Sequence, residues 1–194
     1  MKRTLIAAVT LLCLFGTAAA QRHVEFRWRG VYAVGDLGYA FNVNRTHDTV
    51  SAFMPALSGG FMFRKEAAVG LGFTYVMDPT GAFSQLPLYA ELRSHFLRSR
   101  LTPYTALQVG YSLPVGASSE PPVVKIDKGG LYLGIEVGGR YAFSRSLALG
   151  FHAGYRMLHS DRVLRSDEDN VPMHTDATTL HMINLGVALH FSTW

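Results

Sequence analysis

The stretch LGIEVGGRYAFSRSLALGFHAGYRM, residues 133–157, carries Glu136, Arg140, His152 and Arg156 in a run that is otherwise largely apolar or glycine. Asp36, Glu91, Arg93 and His95 lie upstream in similar surroundings. Carboxylates, imidazoles and guanidinium groups in such a setting can relay protons or ions, act as general acids and bases, or neutralise one another as buried salt bridges. Spacing narrows the choice. Glu91, Arg93 and His95 are two apart, and the pairs Glu136/Arg140 and His152/Arg156 are four apart, so on β-strands each set shares one face.

Other candidates fit chemistry less well. His159 and Ser160 are adjacent, so on a strand they point to opposite sides and make a poor base and nucleophile pair. Ser160-Asp161 and Met173-His174-Thr175-Asp176 hold the ingredients of a hydrolytic site without its spacing. Asp167, Glu168, Asp169 and Asn170 could offer oxygen ligands to Ca²⁺, but the EF-hand spacing is missing and a solvated loop is the simpler reading. Phosphate-cradling and zinc-binding patterns are absent, so no cofactor, metal or catalytic residue is expected.

The elements that must position the charges are legible at period two. From Ala67 to Met77 the odd positions are Ala, Val, Leu, Phe, Tyr and Met, while the even ones are Ala, Gly, Gly, Thr and Val. Leu131, Leu133, Ile135, Val137, Tyr141 and Phe143 alternate with Tyr132, Gly134, Glu136, Gly138, Arg140 and Ala142. Ile183, Leu185, Val187, Leu189 and Phe191 alternate with Met182, Asn184, Gly186, Ala188 and His190. Strict alternation of this length predicts strands, and eight are expected, at about 30–43, 50–63, 67–77, 85–96, 101–113, 129–143, 147–159 and 178–191.

The connections alternate as well. Arg64-Lys65-Glu66, Leu97-Arg98-Ser99-Arg100 and Ser144-Arg145-Ser146 are short, whereas 44–49, 78–84, 114–128 and 160–177 are longer and read as irregular loops. Short turns at one edge and long loops at the other are what an antiparallel transmembrane barrel needs. In hydrocarbon a sheet must close on itself to pair every backbone group, and an even strand number permits that. A water-soluble barrel of the lipocalin kind would turn charged residues outward. Here the non-apolar face is Gly, Ala, Ser, Tyr and isolated charges, a poor coat for water and a suitable filling for a narrow tube. The fold expected is therefore all-β, an eight-stranded antiparallel up-and-down transmembrane β-barrel.

The first residues, MKRTLIAAVTLLCLFGTAAAQ, have the basic, apolar and small-residue layout of a secretory signal peptide, with cleavage expected after Ala20. The sole cysteine, Cys13, falls inside it, so the mature chain is expected to hold no disulfide and no acyl anchor. Lys2 and Arg3 supply two of the four formal positive charges, so basicity argues little for nucleic acid, and none is expected as a partner. The domain reading is a signal peptide at 1–20, a short periplasmic segment at 21–29 and a barrel at 30–194.

Export signal, eight alternating strands, alternating short and long connections, and an aromatic closing strand, LGVALHF followed by STW, resemble the small outer-membrane barrels of the OmpA transmembrane-domain and OmpX type. Trp194 is out of phase with the outward row of Leu185, Val187, Leu189 and Phe191, a departure from the family's closing strand. The resemblance implies a bacterial outer membrane, with long loops extracellular and short turns and both termini periplasmic. The partners it implies are lipopolysaccharide and phospholipid, with other outer-membrane proteins as further candidates.

On this reading Asp36, Glu91, Arg93, Glu136, Arg140, His152 and Arg156 form a lumen ion-pair network. Glu91 and Glu136 are expected to bridge to Arg93, Arg140 and Arg156, with His152 and Asp36 at the margins, and the glycines at 134, 138, 150, 154 and 186 to make room. Basic turns, with Arg64, Lys65, Arg98, Arg100 and Arg145, oppose loops rich in Asp. The function expected is that of a non-enzymatic structural or interaction protein acting through its loops. The alternatives are an accessory subunit of a larger outer-membrane complex and, ranked last, a lipid A-modifying enzyme.

Overall fold

The computed structural model describes residues 30–43, 51–64, 66–77, 84–97, 99–115, 124–165 and 172–193. The expected signal peptide, the 21–29 segment, the acidic 167–170 loop and Trp194 lie outside the described residues. The strands are β1 (Gly30–Asn42), β2 (Ser51–Met62), β3 (Ala67–Thr74), β4 (Val76–Met77), β5 (Ser84–His95), β6 (Leu101–Pro114), β7 (Val124–Lys128), β8 (Gly130–Ala142), β9 (Leu147–Arg165) and β10 (Pro172–Ser192). Neighbours pair antiparallel around the series β1, β10, β9, β8, β6, β5, β3, β2. Pairing of β1 with β2, from Gly30 opposite Met62 to Phe41 opposite Ser51, closes the tube. Eight staves with no free edge result, as the alternation predicts.

β3 and β4 are one stave interrupted at Tyr75. The register is continuous across the break, with Ala56 opposite Thr74 and Phe53 opposite Met77. Tyr75 N–H donates to the Pro55 carbonyl at 2.8 Å, but proline has no N–H to return, so the ladder lapses there.

The alternation sorts the side chains as expected. Val69, Leu71 and Phe73 on β3, Ile135 and Val137 on β8, and Leu185, Val187 and Leu189 on β10 are exposed, Leu71 by 72%. Every stave contributes to this apolar outer wall, far beyond the few hundred Å² that a water-soluble monomer exposes in one patch. Aromatic side chains join it, among them Tyr39, Phe41, Phe61, Phe63, Tyr141 and Phe143. A closed sheet with this exterior is a transmembrane barrel.

Short turns form where serine can satisfy the backbone. Ser144 Oγ accepts from the N–H groups of Ser146 and Leu147 at 3.2 and 3.1 Å, closing the β8–β9 turn. Thr102 Oγ1 donates to the Ser99 carbonyl at 2.7 Å in the β5–β6 turn.

The long connections correct the sequence reading. The 160–177 segment is not simply an irregular loop, because β9 runs 19 residues and β10 runs 21, about twice the ~9–11 that a tilted strand needs to cross. Within 114–128, β7 pairs with the far end of β9, Val124 opposite Leu164. The hairpin therefore continues past the barrel as a small sheet. The signal was present in VKIDK and in the Thr-rich PMHTDATTL, which alternate or carry β-branched residues.

Candidate functional site

The inward faces of the staves fill the tube in three layers. At the loop end Ala40, Ala52, Met54, Val76, Tyr89, Tyr132, Leu158, Leu180 and Met182 form an apolar layer. Leu158 faces Leu180 across the β9–β10 ladder, and both are essentially buried. At the turn end Tyr32, Val34, Met62, Ala68, Ala142, Ala148 and Ala188 form a second apolar cluster. The charges lie between and beside these layers.

The central layer is a closed circuit. Arg93 grips Glu91 in two places, Nε to Oε1 at 2.9 Å and Nη2 to Oε2 at 3.1 Å. Glu91 also accepts from Gln108 Nε2 at 3.1 Å and from the Tyr32 hydroxyl at 3.3 Å. Gln108 Oε1 in turn accepts from the Tyr132 hydroxyl at 2.9 Å, and that hydroxyl accepts from Arg156 Nη1 at 2.6 Å. Arg156 Nη2 meets Glu136 at 2.5 Å, and Arg93 Nη2 lies 3.9 Å from the other oxygen of Glu136. The six residues of the ring come from four staves, β5, β6, β8 and β9, and Tyr32 joins Glu91 from β1. Each ion is thereby desolvated only in the company of an opposite charge and further donors.

Asp36 and His152 are not at the margins. They meet inside the lumen from β1 and β9, with His152 Nδ1 3.2 Å from Asp36 Oδ2, and Asp36 lines the same small central cavity as Glu91, Glu136 and Arg156. The stave between them is β10, and Gly186 makes the crossing possible: a Cβ there would stand 2.5 Å from the imidazole Cε1. Alternation gives the face but not the partner, which is why sequence missed this pair.

Arg140 also differs from expectation. The salt bridges that reach Glu91 and Glu136 come from Arg93 and Arg156, whereas Arg140 lines a turn-end cavity with His95 and His190. The lumen glycines are overlain by rings and amides rather than by arginines, as with Tyr104 at Gly138 and Gln108 at Gly134. Gln108, Tyr132, Tyr32, Tyr104, Thr74 and His190 complete the interior but carry no motif. Their only signal is phase, since each stands on the inward parity of its strand.

On the outer wall at the loop end, His159 and Ser160 do point apart, Ser160 inward and buried. His159 Nδ1 instead lies 2.9 Å from Thr179 Oγ1 on β10, and Tyr155 hydrogen-bonds His181 nearby. No group of three or more metal-ligating side chains occurs among the described residues.

No family model and no curated protein sequence matches the chain. Among solved structures it is similar to Neisserial surface protein A, with a TM-score of 0.59 and 18% identity over 84% of this chain and 97% of that one. It is similar also to the outer membrane protein OprG from Pseudomonas aeruginosa, with a TM-score of 0.58 and 14% identity over 88% of this chain and 100% of that one. Likeness at such identity speaks for architecture. Closed tube, apolar exterior and filled lumen together make this chain a small eight-stranded β-barrel of the outer-membrane kind.

Proposed function

We propose that this barrel conducts nothing and catalyses nothing, and that it acts as a structural or interaction protein of the outer membrane through the hairpin and loops at its loop end. The observation that carries the reading is the filled lumen. A polar circuit backed by an apolar layer leaves a central cavity of about 10 Å³, room for about one water. With the tube blocked, the polar material outside it is where recognition can reside, on extensions held by a rigid scaffold.

Planar-bilayer recording tests this directly. The purified chain should insert with no steady conductance; a large, stable open channel would remove the basis of the reading. The long loops face the cell exterior on this proposal and the basic turns the periplasm. A cysteine at Ser99 should then label with an impermeant reagent only after the outer membrane is opened, whereas one at Asn170 should label on intact cells.

One observation favours a second reading. His159 beside the Thr179 hydroxyl, on the lipid-facing side of β9 and β10, is a base within reach of a nucleophile. Lipid A modification detected by mass spectrometry, and lost in His159→Ala, would put this reading in place of the first.

A further inference from the structure

The outer wall is not evenly filled. One rung of the sheet sets Phe191 on β10, Ala33 on β1, Gly59 on β2 and Leu71 on β3 side by side on the outward parity of their strands. On the next rung toward the loop end Leu57 faces Phe73. Ala33 and Gly59 thereby floor a groove of about 430 Å³ that Leu57, Leu71 and Phe73 wall in. Leu71 is the most exposed large apolar side chain among the described residues. Ser58, which also borders the groove, turns its hydroxyl into the lumen beside the central cavity, where the residue is 6% exposed. The volume falls in the range of about 300–1,000 Å³ usual for small-molecule sites, and a lining without a polar side chain facing it selects hydrocarbon.

Depth narrows the occupant. From Gly59 the outward column of β2 continues through Phe61 and Phe63 to the turn Arg64-Lys65-Glu66. Five residues at about 3.3 Å each put the groove roughly 16 Å along the strand from Arg64. A stave tilted by about 40° turns that into roughly 12–13 Å of depth, just short of the ~15 Å half-thickness of the hydrocarbon core. The groove therefore lies where the far half of an acyl chain runs, and the phosphate of the same lipid stands level with the turn. Arg64 is exposed there, and the turn holds two cations to one acid. An anionic headgroup meets a net positive charge at that level.

A second copy of the barrel fits less well. Two convex tubes touch along a line and leave the groove floor uncovered, and an isologous contact through β1–β3 would set two net-positive turns together at one membrane face. A hydrocarbon chain is thin and flexible enough to follow the floor. We propose that the β1–β3 groove is a binding site for one glycerophospholipid with an anionic headgroup, an acyl chain seated over Ala33 and Gly59 and the phosphate paired with Arg64. On β10, by contrast, Leu185, Val187 and Leu189 stand out in an unbroken apolar row that gives a chain no recess.

The test uses the purified full-length barrel in a non-ionic detergent, with native mass spectrometry after addition of phosphatidylglycerol or phosphatidylcholine of identical acyl chains. The wild type should retain one phosphatidylglycerol about fivefold more tightly than phosphatidylcholine, the factor expected from one cation at the membrane surface. Ala33→Leu, which fills the floor with an apolar side chain, should lose the retained lipid of either kind while keeping its heat-modifiable migration. Arg64→Gln should keep the adduct and level the two lipids. If Ala33→Leu does not fold, Leu71→Ala takes its place, since it removes a wall instead. Equal retention of the two lipids by the wild type, or undiminished retention in the groove variant, would overturn the proposal. So would a dimer of the chain that the groove variant dissociates, with no lipid adduct in the wild type.

Discussion

Ile135 and Glu136 are neighbours on β8, yet one is 52% exposed on the outer wall and the other 3% exposed in the lumen. The two walls obey different rules. The outer wall is held by an average property: any large apolar side chain suits it, and its contribution is the sum over staves. The inner wall is held by particular partners. Glu136 answers to Arg156 at 2.5 Å and to Arg93 at 3.9 Å, and no other side chain of similar size would do the same. A substitution outside should therefore be judged by polarity and depth, and one inside by what it leaves unpaired.

The largest expected effect tests the inner wall. Glu136→Ala leaves Arg156 with only the Tyr132 and Thr74 oxygens and strips Arg93 of its second acid. Removing one partner of a buried pair typically costs about 3–5 kcal/mol. Reversible urea unfolding from vesicles should register that loss, and a change within about 0.5 kcal/mol would mean that water screens the circuit.

Ile135→Arg comes next and tests the outer wall one residue away. An arginine facing hydrocarbon near mid-depth costs about 2–4 kcal/mol, falling to about 0–1 near the interface. The same substitution at Leu101, the first residue of β6 beside its short turn, should then be nearly silent. Equal costs at the two positions would contradict the depth assigned to Ile135.

The same contrast explains what the sequence made legible. The outer wall is written as period two, so eight staves, their faces and the short turns could be read from Val69, Leu71, Phe73 and their counterparts alone. The inner wall needs register. Alternation placed Asp36, Glu91, Arg93, Glu136, Arg140, His152 and Arg156 on the lumen side but said nothing of which stave lies opposite which height. Asp36 reaching His152 past Gly186, and Arg140 set toward the turn end, follow from pairings such as Leu37 with Val187 and Gly138 with His152. Gln108 and Tyr132, uncharged links in the circuit, carry no signal beyond parity. The hairpin is hidden for another reason. Its Pro, Asp and Asn content reads as irregular structure, and its alternation of polar with β-branched residues is weaker than that of the barrel staves.

The smallest effect is expected where neither wall is involved. Beyond Leu158 and Leu180 the β9–β10 hairpin has left the apolar layer, and among the described residues its continuation pairs within itself and with β7. Replacing residues 162–176 by Asn-Gly joins Asp161 to Ala177, which already face each other, through a two-residue turn suited to antiparallel strands. Ser160, buried at the top of the lumen, is retained. Such a barrel should keep its resistance to urea within about 1 kcal/mol and its heat-modifiable migration, because no lumen pair and no lipid-facing stave has been cut. A loss above about 2 kcal/mol would show that the extension braces the tube, and would move the boundary between scaffold and recognition surface outward along β9. If stability is kept while binding to cells or to other envelope components disappears, the hairpin is the working part, and the two walls serve only to hold it above the membrane.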